Sequence, residues 1–441
     1  MRSFLQFRVS DPVILAENLA HFISQQEYGI LLRGCDVTPI PGTTFAGNFD
    51  LAVGLGIISA LEPEKDYFSS LLGFLEETND WVFGYFTYDV KNELENLHSS
   101  RFDGLKFPEM FFSQPEMVLL LRKKNLIAYF FPEITPEVKV RELVEVILHH
   151  QPEFESALPR ITFKPRYTKS EYQNTVMHIK DHIMRGDIYE MNFCQEFYND
   201  SSDINPASAF NRLYRVSPTP FGAFLKVGSR YLMSASPERY IRKDGDLITS
   251  QPIKGTAPRK KDLVEDEEAK NHLAHDPKER AENVMIVDLV RNDLSKVAVP
   301  GSVNVSELCG IYSFEHVHQM ISTVTCKIRP AVSVIDPIKA TFPMGSMTGA
   351  PKIRAMQLIE EFERSRRGLF SGTVGYFTPD GDFDFNVVIR SLLYNEKNSY
   401  LSFTVGGAIT FNSEPEKEYD ECLLKAEAIL TALGATIENA G

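Results

Sequence analysis

The apolar residues of this chain come in short runs that end in turn formers. In the first third, YGILLRG, DLAVGLGIISAL, WVFGYFTYDV and EMVLLLRKKNLIAYFF are rich in aromatic and β-branched residues and bounded by Gly and Pro, the pattern of strands joined by turns. The longest run, residues 51–61 (LAVGLGIISAL), is far short of the roughly 20 residues that a membrane-spanning helix needs. A strand-rich body without a membrane span is therefore expected. The first residues, MRSFLQFRVSDP, are broken by polar side chains and lack the continuous apolar segment of a secretory signal, so the expected location is the cytoplasm.

Helical spacing enters at residues 138–150 (VKVRELVEVILHH), and the proline-bearing stretch after it places a soft boundary near residues 152–168. This divides the chain into an amino-terminal region, residues 1–160, and a second region, residues 161–441. Residues 169–185 read as an amphipathic helix ending at Gly186, residues 279–297 as a long helix, and residues 351–363 as a helix opening on proline. FGAFLKVG, RYLMSASPERYIRK, GDLITSQPIKGT, STVTCKIR and YLSFTVGGAIT read as strands, and TVGYFTPDGDFDFNVVIRSLLYN as a hairpin turning at Asp380-Gly381. A last helix opens near Pro415 and stops at Gly434, with Cys422, Leu423, Ala426, Ile429, Leu430 and Leu433 on one face. Strands and helices mixed with hairpins predict α+β with antiparallel sheets.

The formal charge over 441 residues is −14, and no long basic stretch breaks it, which disfavours nucleic acid and anionic membranes as partners. Five cysteines stand singly, without Cys-x-x-Cys, so buried free thiols are expected rather than disulfides or a cysteine zinc site.

Two carboxylate pairs have i, i+3 spacing on predicted helices: Glu279 with Glu282, and Glu418 with Glu421. Like charges so placed repel unless the face is solvated or holds something positive. Solvation is the better reading for either pair alone, but apolar neighbours put both near a core edge. Hard oxygen ligands without cysteine would select Mg²⁺. Lys254 in QPIKGTAPR reads as a solvated turn residue or, if its amine pKa is depressed, as a nucleophile. Glu238, sixteen residues earlier, reads as a proton donor or as the partner of Arg239 or Arg242. GSMTGAPK is not a phosphate loop: Pro351 removes a backbone donor and Ile353 stands where a Ser or Thr should be. His178 and His182 have zinc-pair spacing but no third ligand, and read as surface histidines.

SPERY, PIKGT, ERAENVMIVDLVRNDL, VHQMIST, FPMGSMTGAPKIRAMQLIEE, RRGLFSGTVGYF, IRSL, VGGAIT and EYDECLLKA occur in the order and approximate spacing of the chorismate-utilising enzymes. The resemblance is dense over residues 165–432 and weaker before them. It implies one α+β body in which two antiparallel sheets pack face to face with helices outside. It also implies a cleft in which Glu282 and Glu421 ligate Mg²⁺, with Glu279 and Glu418 beside them. Glu238 resembles the family's general acid/base, and His318 its ring-facing histidine. Tyr376, Arg390, Gly406, Gly407, Ala408 and Lys425 match groups that hold substrate carboxylates, and Gly255 and Thr256 complete the wall.

Lys254 in PIKGT resembles the members that make aminodeoxychorismate, for para-aminobenzoate and folate, through a lysine nucleophile; anthranilate synthases carry PIAGT. The expected activity is therefore that of an aminodeoxychorismate synthase component I. Anthranilate synthase component I is the alternative, and an inert chorismate-binding scaffold the alternative of another class. Glu190 in GDIYEMNF departs from the glutamine usual in that slot. No glutaminase apparatus is evident, so the resemblance implies ammonia supplied by a glutamine amidotransferase subunit. LLRGC, at residues 31–35, lacks the Glu-Ser of the tryptophan-inhibited members.

Overall fold

The computed structural model describes residues 1–34, 49–150 and 161–438. Two sheets carry the fold. The thirteen-stranded sheet runs Ser3–Arg8, Asn125–Phe130, Met117–Arg122, Leu51–Leu55, Tyr28–Arg33, Phe221–Val227, Arg230–Ser236, Ser391–Asn395, Tyr400–Ile409, Glu190–Asn199 and Thr162–Pro165. Gly349–Ala350 pairs with Glu190–Asn199, and Thr436–Ile437 pairs in parallel with Thr162–Pro165. The ten-stranded sheet runs Ile253–Pro258, Val317–Lys327, Leu247–Gln251, Arg239–Asp244, Phe383–Asn386, Thr373–Phe377, Val82–Phe86, Met110–Gln114 and Ser59–Leu61, with Asn304–Ser313 on the far side of 317–327.

Strand alternation explains why the large sheet's strands read as nearly unbroken apolar runs. Successive side chains point to opposite faces, and both faces are covered. Leu31, Val53, Phe224, Met233 and Leu392 join a core under the helices, whereas Ile30, Ala52, Leu225, Leu232 and Leu393 join a core shared with Phe83, Phe112 and Phe385 of the other sheet. The sheets thus pack face to face, with helices such as Pro12–Ser24, Lys169–Met184, Pro206–Val216 and Pro415–Leu433 outside, as the resemblance implies. Strands from both sides of residue 160 share both sheets: Tyr28–Arg33 pairs with Phe221–Val227, and Val82–Phe86 with Thr373–Phe377. Residues 151–160, where the soft boundary begins, lie outside the described residues.

The helix ends follow local chemistry. Thr168 and Glu171 form a reciprocal capping box at the start of Lys169–Met184, and Gly186 follows at a φ of +81°. Asp276 accepts from the Lys278 and Glu279 amides ahead of Pro277–Ser295, and Gly434 ends the last helix in the left-handed region. Cys194, Cys309, Cys326 and Cys422 are buried free thiols; Cys35 lies outside the described residues. No helix among the described residues is long and apolar enough to cross a membrane.

Candidate active site

Lys254 stands on the edge strand of the smaller sheet, and its amine points at carboxylates from three other segments. Its Nζ donates to Oε1 of Glu190, on the large sheet, at 2.9 Å, and the side chains are 11% and 1% exposed. Burial alone would lower this amine, but Glu190, Glu282 and Glu238 outweigh it and hold the ammonium well above its usual range. The depressed amine expected of a nucleophile is therefore not the resting state: the ammonium is bonded directly to Glu190.

Glu238 sits in the link between Arg230–Ser236 and Arg239–Asp244, its amide donating to Ser236 Oγ at 3.3 Å. Neither expected arginine pairs with it: Arg239 is bonded to Asp384 and Gln251, and Arg242 to Asp244. It is 4% exposed and lines a small cavity with Ser346, Met344 and Pro252. Burial raises its carboxyl to about 7, against the opposing pull of Lys254. A group that titrates near neutrality can both give and take a proton there. Arg390 follows on the neighbouring segment, its carbonyl accepting from Ala235. No carboxylate or carbonyl among the described residues takes its guanidinium, whose pKa burial lowers.

The glutamate pairs face each other from helices Pro277–Ser295 and Pro415–Leu433. Glu282 and Glu418 are buried, which removes the solvated-face reading. Gly255, at a φ of +89°, lets the Lys254 strand approach so closely that a β-carbon there would lie 3.0 Å from Glu279 Oε2. One at Gly407 would lie 3.2 Å from Glu418 Oε2 and 3.4 Å from Glu421 Oε1. Burial raises Glu279 and Glu418, and raises Glu282 to about 7. It would raise Glu421 too, but Lys425 holds that group below its usual range. Lys425 donates to the Gly406 carbonyl at 2.7 Å and pairs with Glu421 at 2.6 Å.

Among the described residues no three His, Cys, Asp or Glu side chains converge as a finished ligand cluster. The donor chemistry nevertheless fits a hard divalent cation that keeps several waters. Glu282 Oε1 and Glu418 Oε2 are buried without a hydrogen-bond partner. The Lys278 ammonium lies between the pairs, 3.8 Å from both Glu282 and Glu418, so the position already draws a positive charge. Its i, i+4 relation to Glu282 was available in the sequence.

Other expected members stand apart. His318 is 1% exposed, with Nδ1 on Ser313 Oγ at 2.9 Å and Nε2 on Asp266 at 3.1 Å. Both ring nitrogens are engaged by the protein, so its ring does not present a free nitrogen to a ligand. Tyr376 is on Thr373–Phe377, where alternation turns it toward Phe49, Trp81 and Phe83. It lines a different cavity, with Arg33, Gly34 and Phe221. Ala408 is buried opposite Asn192, and Thr256 is exposed opposite Gln319. Lys352 turns inward to Asp293 and the Thr341 and Pro343 carbonyls, so GSMTGAPK presents no lysine to a phosphate. His178 is exposed, and His182 is bonded to Asp187 at 2.6 Å.

Lys254, Glu190, Glu238 and the two glutamate pairs are thus gathered where the smaller sheet meets the large one. Comparison with known proteins narrows the class. A family model for chorismate binding enzymes matches residues 55–431. Anthranilate synthase component 1 of Thermus thermophilus is 34% identical over 362 residues, 80% of this chain and 77% of its own length. Aminodeoxychorismate synthase component 1 of Bacillus subtilis is 33% identical over 368 residues, 81% of this chain and 78% of its own. The crystal structure of anthranilate synthase component I from Streptococcus pneumoniae matches with a TM-score of 0.74 and 25% identity, covering 96% of this chain and 98% of that one. The chain belongs to the chorismate binding enzyme family, which supports chorismate as its substrate.

Proposed function

We propose that this chain is the synthase component that converts chorismate and ammonia to 4-amino-4-deoxychorismate. The observation that carries the reading is Lys254: a lysine inside the site, within the field of Glu238, whose carboxyl burial raises to about 7. Relatives of both the aminodeoxychorismate and the anthranilate type match to a similar degree, so anthranilate formation is the competing reading.

Chorismate is a dianion entering a protein of charge −14. Arg390, whose guanidinium has no protein acceptor among the described residues, receives a carboxylate, and the backbone of Gly407 lies against Glu418 and Glu421. Glu282 and Glu421 would hold Mg²⁺, with Glu279 and Glu418 beside them. When bound, the ion supplies Lewis-acid polarisation of the ring carboxylate. The Lys254 amine attacks the ring carbon beside the carboxylate-bearing one, both conjugated ring double bonds shift by one bond, and the hydroxyl departs as water with the proton of Glu238. Ammonia then adds at the carbon that lost the hydroxyl, both ring double bonds shift back, and the lysine leaves. The excess proton of the incoming nitrogen returns to Glu238. Covalent catalysis of this kind splits one difficult substitution into two easier steps. A separate glutamine amidotransferase subunit is the ammonia source this reading requires. Incubation with chorismate, Mg²⁺ and ammonium, with mass spectrometry of the product, tests it: 4-amino-4-deoxychorismate supports the reading, and anthranilate overturns it.

A further inference from the structure

Lys254 cannot attack while it is an ammonium, and the cleft as built favours the ammonium. A proton acceptor must therefore be part of the site. Glu190 is the only carboxylate among the described residues that hydrogen-bonds the amine, at 2.9 Å. Glu238 and Glu282 act on Lys254 from beyond ion-pair distance. The Glu190 side chain is enclosed by protein. It is 1% exposed, and its Oε2 is buried with no hydrogen-bond partner, so the lysine is its sole side-chain support.

The backbone fixes this contact. Glu190 opens Glu190–Asn199, pairing with Ala350, and a β-carbon at Gly349 would lie 2.2 Å from the Glu190 carbonyl. The Arg367 guanidinium, itself paired with Glu363, donates to the Asn192 and Met347 carbonyls. It thereby ties this strand to the 345–347 turn that carries Ser346 beside Glu238.

We propose that Glu190 takes the proton of Lys254 and so produces the amine that attacks chorismate. The inference rests on the lysine-nucleophile reading above. One Nζ–H bond breaks, one Glu190 Oε1–H bond forms, and the freed lone pair makes the carbon–nitrogen bond. The new secondary amine carries the excess charge until ammonia displaces it, when the amine leaves and recovers the Glu190 proton. Glu238 supplies the other proton, to the departing hydroxyl, so the two carboxyl groups serve opposite directions of proton flow across one substrate.

The test compares the unmodified chain with Glu190→Gln, Glu190→Asp and Lys254→Ala, at constant free ammonia across pH 6.5–9.5. Glu190→Gln should lower kcat about 10²-fold near neutrality, the scale for loss of a positioned base, and leave KM for chorismate within about threefold. Its deficit should shrink with rising pH, because solvent then deprotonates the lysine. Glu190→Asp, which keeps a base one methylene further away, should recover part of kcat. A second readout needs no turnover: acetic anhydride labelling of the Lys254 peptide should set in at lower pH in Glu190→Gln, whose amine has lost its anion. Inactive Lys254→Ala together with full, pH-parallel activity of Glu190→Gln would overturn the role of Glu190 and leave the nucleophile standing. Normal turnover by Lys254→Ala would instead remove the nucleophile reading itself, and this inference with it.

Discussion

Glu238→Gln should make the protein more stable and much less active, with both effects set by one buried proton. Burial raises the carboxyl from 4.5 to about 7 in the folded state. Stability from this group is complete below pH 4.5, where the acid is neutral in both states, and is lost as pH rises toward 7. Above pH 7 the folded protein carries a buried anion that the unfolded chain solvates. At roughly 1.4 kcal/mol per pH unit, the cost reaches about 3 kcal/mol at pH 8 and falls under about 1 kcal/mol at pH 5. An amide of the same shape removes that cost. With an unfolding entropy of roughly 2.1 cal/mol/K per residue, the gain corresponds to a Tm higher by about 3 °C for a chain of this length at pH 8. Scanning calorimetry in EDTA, at pH 5 and pH 8, measures it. Turnover should fall by roughly 10²–10⁴ because the acid is gone. An equal Tm difference at both pH values, or a less stable variant at pH 8, would refute the argument that Glu238 is held neutral by burial.

Glu282→Gln or Glu421→Gln should raise the Mg²⁺ concentration needed for half-maximal activity steeply, since few protein ligands hold such an ion; an unchanged requirement in a metal titration would show that the helix pairs bind no metal. Arg390→Ala should raise KM for chorismate by roughly 10–100-fold, the value of a charged hydrogen bond; steady-state kinetics with an unchanged KM would place Arg390 outside the substrate's reach. The purified chain should use ammonium and fail with glutamine, and robust glutamine-dependent turnover by the homogeneous chain would remove the need for an amidotransferase partner.

Local chemistry was readable from the sequence and long-range partnership was not. The Asp380-Gly381 turn and Gly434 each act within a few residues, and each joins or ends an element where its residue types predict. WVFGYFTYDV reads as one strand, but it leaves the sheet at Phe86 because the Tyr88 and Gly368 backbones and the Asp89 carboxylate make a turn with residues 279 or more positions distant. The two regions divided near residue 160 differ in pattern, yet their strands interleave, since pairing is decided by which face each side chain must bury. In the site, i, i+3 spacing exposed the glutamate pairs, while the protonation of Lys254 depends on Glu190, 64 positions away. Tyr376 shows the opposite failure: its motif was visible, but pleat alternation turned it to the other side of the sheet.

The most direct test of the central claim is quenched-reaction mass spectrometry of the chain with chorismate and Mg²⁺, before and after ammonium is added. A chorismate-derived adduct on the Lys254 peptide, absent from Lys254→Ala and discharged by ammonium with release of 4-amino-4-deoxychorismate, is the predicted result. An unmodified Lys254 peptide throughout turnover, with nitrogen installed at the ring carbon beside the carboxylate-bearing one, would contradict it.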